Sequence, residues 1–180
     1  MNRLKDLSNS NDQSGFTLAE VLLYLAIFSL VIGAIVGLAA ITSLQRVKSE
    51  AIAEVNYQGE SNVSLIDQTI RNASSINDPA MANSDTMLSL TVVDAGNNPT
   101  VFDSYNDGTT NRLRLSEGSP ANVTYLTSSH VNLSGLSFIN EGLFNTKGSI
   151  LFHFTLSYQS GSSLAEYNYV KTFYGAATLP

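Results

Sequence analysis

Glu20 is the one charged side chain in a long apolar run, Phe16–Ile41, FTLAEVLLYLAIFSLVIGAIVGLAAI. From Val21 to Gln45 there are 25 residues without a charge. A carboxylate at membrane depth costs roughly 2.5–3.5 kcal/mol on insertion scales, less near the interface, so it is rare unless a partner compensates it. A compensating cation is available from the chain itself. Gly15 precedes Phe16, and Glu20 follows Phe16 by four residues, one helical turn away on the same face. Cleavage between Gly15 and Phe16 would create an α-amine placed to neutralise Glu20, in its own chain or in a neighbour's. Two plainer readings stand beside this one. Glu20 is also suited to the N-terminus of an ordinary anchor helix, where an acid is favoured. Gly37-Leu38-Ala39 has the small-x-small spacing of a secretory cleavage site, although the apolar run is longer than the ~7–15 residues of a typical signal core.

Other reactive constellations are sparse. The chain has no cysteine and two histidines, His130 and His153, and it contains no H-E-x-x-H, G-x-S-x-G or P-loop pattern. Asp103, Asp107 and Gly108 have a faint likeness to a calcium loop, but Tyr105 and Arg114 stand where oxygen ligands are needed, so a plain turn is expected. His153 is expected on a sheet face rather than as a ligand or base. Asn62, Asn72, Asn122 and Asn132 lie in N-x-S/T triplets, which arise by chance in a chain this rich in Asn, Ser and Thr. Tyr158, Tyr167, Tyr169, Phe173 and Tyr174 are either an aromatic binding row or cross-strand pairs that stabilise a hairpin. No catalytic, cofactor-binding or metal-ligating residue is assigned, and an enzyme is not expected.

The elements that would carry Glu20 follow from periodicity. The uncharged stretch is ~37 Å long as a helix, and ~20 apolar residues suffice to cross a bilayer. Gly33 and Gly37 form G-x-x-x-G, a spacing that lets helices approach closely in lipid. Leu44, Val47, Ala51, Val55, Val63, Ile66, Ile70 and Ala73 then recur at steps of three and four, with Gly59 filling one place and offering a point for a bend. Asn77-Asp78-Pro79 predicts the helix end, because the residue before proline avoids helix. Beyond it the period changes to two. Strands are expected at Met87–Val93, Thr100–Tyr105, Arg112–Leu115, Val123–Leu126, Val131–Ile139, Ser149–Gln159 and Glu166–Tyr174, with turns at Asn97-Asn98-Pro99, Asn106-Asp107-Gly108 and Ser160–Ser163. The expected fold is α+β: a long N-terminal helix, membrane-spanning in its first half, packed on a small antiparallel sheet. The expected divisions are a cleaved leader at 1–15, a transmembrane and assembly half-helix at 16–45, an amphipathic exposed half-helix at 46–77, and a β-rich soluble domain at 78–180.

Gly15-Phe16-Thr17-Leu18-Ala19-Glu20-Val21-Leu22 resembles the type IV prepilin signature, G|FTLxE, of type IV pilins and type II secretion pseudopilins. Ala19 replaces the usual larger aliphatic residue. The resemblance implies a pilin-like fold, cleavage after Gly15 by a prepilin peptidase and N-methylation of Phe16. It implies that Glu20 pairs with the N-terminal amine of an adjacent subunit during assembly. It places the leader in the cytoplasm and the chain in the cytoplasmic membrane as a single pass, then in a surface filament or pseudopilus. Partners would be the peptidase, other pilin subunits through the N-terminal helix, and the membrane. A helix without proline leans toward a pseudopilin or minor pilin. Leu126–Phe138 followed by a late hairpin also resembles minor pilins of the J/W type. The competing reading is a single-pass anchored ectodomain that binds a surface or polymer through its sheet.

Composition agrees with an exported, structural role. Of 180 residues the first 15 hold Arg3, Lys5, Asp6 and Asp12, so the net charge of −6 lies wholly in the rest. An acidic balance argues against nonspecific nucleic-acid binding by the bulk domain. Without cysteine, no disulfide can close a C-terminal loop.

Overall fold

The computed structural model describes residues 15–142, 148–159 and 168–180. Helix α1 spans Leu18–Arg71. Strands β1 (Ala73–Asp78), β2 (Ser84–Asp85), β3 (Leu88–Val92), β4 (Thr100–Asn106), β5 (Asn111–Glu117), β6 (Asn122–Tyr125), β7 (Val131–Asn140), β8 (Ser149–Tyr158) and β9 (Val170–Thr178) follow. The fold is α+β with antiparallel sheets against the helix, consistent with a pilin-like architecture. The chain divides into two compact units, one ending at Ser43 and the other beginning at Leu44.

The first unit is helix. Every large apolar side chain from Phe16 to Ile41 keeps 45–81% of its surface exposed, so nothing among the described residues covers this segment. Among the described residues, α1 is the one helix long and apolar enough to cross a membrane. An uninterrupted apolar surface of this kind needs lipid or other helices around it.

The second unit holds the core. The sheets run β1-β3-β4-β5-β6 and β2-β7-β8-β9, with all pairings antiparallel. Two sheets therefore stand where one small sheet was expected. Both contribute to one cluster with the helix, in which Val55, Ile66, Ile70, Leu90, Phe102, Leu113, Phe138, Phe154 and Leu156 are fully buried. Each such side chain contributes about 1.5–3 kcal/mol by burial. The expected stripe is realised from Ala51 onward, while Leu44 stays exposed and Val47 is half-buried.

Alternation explains the strands. In β8, Ile150, Phe152, Phe154 and Leu156 are buried, with His153, Thr155 and Ser157 on the opposite face. In β5, Leu113 and Leu115 are buried between the outward Arg112, Arg114 and Ser116. Strand β7 changes phase midway: Val131 and Leu133 are buried, then Leu136 and Phe138. The register against β8 slips between Ser134 and Ser137, and Gly135 there has φ +58°. A bulge with glycine in the left-handed region adds one residue and so returns the apolar side chains to the core face.

The helix stops at Arg71, before the expected limit near Asn77. Residues 73–78 instead form β1, which pairs with β3 through Ile76–Leu90 among others. That pairing satisfies the same backbone groups that further helix would have, and it lays Ala73 into the core. Proline was the only local stop signal, and tertiary pairing acted before it. The last strand is likewise displaced: Val170–Thr178 rather than Glu166–Tyr174, with Glu166 and the Ser160–Ser163 turn outside the described residues.

Gly59 has a packing role. A Cβ placed there would lie 2.0 Å from the Phe173 ring, which rests directly on the helix backbone. Gly59→Ala is expected to destabilise the domain by about 1–3 kcal/mol, the cost of overpacking. Thermal unfolding of the full chain in detergent checks this, and adding Phe173→Leu should recover part of the loss.

Candidate functional site

Gly15, Phe16 and Glu20 fall in one short segment at the start of α1. Thr17 caps the helix: its hydroxyl accepts from the Glu20 amide at 3.3 Å, and its carbonyl accepts from the Glu20 and Val21 amides at 3.1 and 3.2 Å. Glu20 therefore sits in the first turn, where the exposed backbone N–H groups favour an acid. The Tyr24 hydroxyl donates to Glu20 Oε1 at 3.2 Å, one turn further on. The Phe16 ring meets the Tyr24 ring edge-on, with centroids 6.4 Å apart. Phe16, Glu20 and Tyr24 thus form a single stripe. Tyr24 was not singled out from sequence, although its i+4 spacing from Glu20 was the available signal.

Further along, Ser29 donates to the Leu25 carbonyl at 2.7 Å and Thr42 to the Leu38 carbonyl at 2.8 Å. These hydroxyls are satisfied inside the helix, which suits an apolar surrounding. A Cβ at Gly33 or Gly37 would meet nothing within 4 Å, so these glycines leave open space on the helix surface.

The second unit does not gather its candidate residues into a reactive site. Asp103 is paired in a fork with Arg114, and the Arg114 guanidinium lies 5.1 Å from the Tyr105 ring centre. Asp107 closes the β4–β5 turn by accepting from the Thr109 and Thr110 amides at 2.9 and 2.8 Å. Gly108 has φ +93°, as the turn requires. The turn reading therefore accounts for Asp103, Asp107 and Gly108. His153 lies beside Tyr174 across the β8–β9 pair, and His130 stacks on Tyr158. Among the described residues, no group of three or more His, Cys, Asp or Glu could hold a metal ion.

The described members of the aromatic row do not share one face. Phe173 is buried against Phe154, while its neighbour Tyr174 points to the opposite face and is exposed; Tyr158 and Tyr169 pack on the core. Tyr167 lies outside the described residues. Adjacent residues of a strand face opposite ways, so Phe173 and Tyr174 could not share a surface.

A polar ladder on the helix was missed. Gln58 and Asn62 are buried within the expected apolar stripe. Gln58 Oε1 accepts from the Ser128 amide at 3.0 Å, and Asn62 Nδ2 donates to the Leu126 carbonyl at 3.3 Å. Both tie the β6–β7 connection to the helix. Their partners are more than 60 residues away, so periodicity carried no trace of them.

Residues 10–41 match a family model described as the prokaryotic N-terminal methylation motif. The chain carries a type IV prepilin-type signature. The match covers the Gly15–Phe16 junction, Glu20 and the apolar helix through Ile41. Comparisons with curated proteins and with solved structures gave no match.

Hydrogen bonds from the Thr109 and Thr110 amides hold the Asp107 carboxyl below the usual range. A carboxyl whose folded value is lowered stabilises the fold above its unfolded value, and loses that contribution as pH falls through the folded value. The β4–β5 turn should therefore loosen only under acid conditions. In an NMR titration the Thr109 and Thr110 amide shifts should follow the Asp107 midpoint; amides indifferent to that midpoint would break the assignment.

Proposed function

We propose that this chain is the precursor of a minor pilin or pseudopilin, a structural subunit rather than an enzyme. A prepilin peptidase cuts it after Gly15 and N-methylates Phe16. The helix then leaves the membrane for a bundle of like helices, in a type IV pilus or in a secretion or DNA-uptake pseudopilus. Glu20 pairs with the α-amine of a neighbouring subunit, and Gly33 and Gly37 admit a neighbouring helix. The β-rich domain faces outward from the cytoplasmic membrane. The methylation motif does not distinguish the J/W type from other minor pilins.

One coincidence carries this reading: the methylation motif lies on an exposed apolar segment, residues 16–41, whose single acid follows Phe16 by one turn. The physical logic is compensation. An exposed apolar helix is content in lipid, but its carboxylate is not. A cation supplied by a second subunit removes that penalty only in the assembled state. The ion pair thus favours assembly and fixes axial register between subunits. Gly33 and Gly37 add close van der Waals approach, the force that drives helix association where apolar surface has no preference for protein over lipid.

Intact mass and N-terminal sequence of the protein from its native host membrane test the reading. A chain that begins at N-methylated Phe16 is expected. A chain retaining Met1 would favour the plain anchored ectodomain, and a start near Ala40 would mean an ordinary secreted protein. Glu20→Ala should be cleaved nearly as well as the parent yet be depleted from sheared filaments or purified pseudopili. The double variant Gly33→Leu/Gly37→Leu should also be processed normally and assemble poorly. Since a side chain at either glycine would meet nothing within 4 Å among the described residues, such a loss would report on contacts between subunits.

A further inference from the structure

Thr17-Leu18-Ala19-Glu20 has the spacing of a capping box, in which the glutamate side chain folds back to the N-cap amide. Half of the box is present, since the Thr17 hydroxyl accepts from the Glu20 amide. The other half is replaced. The Glu20 carboxylate extends forward along the helix, and Oε1 accepts from the Tyr24 hydroxyl at 3.2 Å. Tyr24 thus competes with the helix's own N-terminus for this carboxylate. The Tyr24 ring is also held, edge-on, by Phe16.

From this geometry we propose that Tyr24 is a positioning residue for Glu20. It rests on the assembly reading above, in which Glu20 receives the amine of a neighbouring subunit. The hydroxyl has two effects. In the unassembled chain it gives the carboxylate a donor within its own helix, which lowers the cost of carrying an acid in an apolar surrounding. It also occupies one oxygen and keeps the side chain turned up the helix, away from the capping position. Oε2 is then left to receive the incoming cation. A capping box would instead draw the carboxylate toward Thr17 and use its acceptors on the backbone. The Phe16 ring, at the first position of the processed chain, packs on the same tyrosine. Tyr24 therefore couples the orientation of the processed end to that of the acid.

Tyr24→Phe tests this, because it keeps the ring that Phe16 packs against and removes only the donor. The full chain is expressed in its native host, and filament incorporation is compared with the parent alongside the N-terminal mass. The variant is expected to be cleaved and methylated normally and to be incorporated about tenfold less, the low end for losing a hydrogen bond to a charged group. A direct readout accompanies it. The precursor, labelled with heavy carbon at the glutamate carboxyl, is placed in phosphatidylethanolamine–phosphatidylglycerol vesicles for infrared spectroscopy, and Glu20→Gln identifies the Glu20 band. That band should shift in Tyr24→Phe. An unmoved band, or incorporation equal to the parent's, overturns the positioning role while leaving the assembly reading intact. A parent chain that still begins at Met1 overturns the assembly reading itself, whatever the band does.

Discussion

A helix with apolar side chains along its length must have them covered, and in this chain the cover is of two kinds. From Ala51 to Ile70 it is provided by two sheets, which close over Val55, Ile66 and Ile70 with Phe102, Phe138, Phe154 and Phe173. From Phe16 to Ile41 the described residues provide none. The first kind of cover makes a compact core, held by burial of side chains worth about 1.5–3 kcal/mol each. The second must be found outside the chain, in lipid or in other helices. Much of the rest follows from that division. The domain can afford buried polar residues such as Gln58 and Asn62, because fixed partners in the β6–β7 connection satisfy them. The exposed segment permits itself polar atoms only where the helix answers them internally, as at Ser29 and Thr42.

Glu20 is the exception in that segment, and its environment explains why an acid there is informative. A neutral hydroxyl from Tyr24 gives it one hydrogen bond, and the first-turn N–H groups favour its charge. Neither supplies a full counter-charge. Under the proposed assembly, that deficit is what a cation from a partner subunit would remove.

The surface of the β-rich unit has a different character. Arg112 and Arg114 face outward on β5, each near a tyrosine ring, and each is engaged: Arg112 donates to the Thr127 carbonyl and Arg114 to Asp103. These contacts join β4, β5 and β6 across the sheet. They tie the edge of the five-stranded sheet together by cross-strand pairing rather than by burial.

The apolar run, its lone acid and the Gly15–Phe16 junction were legible from residues 15–45, because each is a local property: hydropathy, charge and spacing along one helix. Strands β3, β4, β5, β7 and β8 were legible for the same reason, since alternation is written in consecutive residues. Folding in three dimensions settled the rest. Helix α1 ends at Arg71 because residues 73–78 find a partner strand in β3, a choice invisible to a local stop signal. Gly59 is required because Phe173, 114 residues later, packs its ring where a side chain would stand. Gln58 and Asn62 interrupt the apolar stripe without cost because distant backbone groups reach them. Alternation sends Phe173 and Tyr174 to opposite faces, and the pairing with β8 and the helix decides that Phe173 is the one buried. In each case the deciding partner lies far away in the chain, and only the folded state brings the two together.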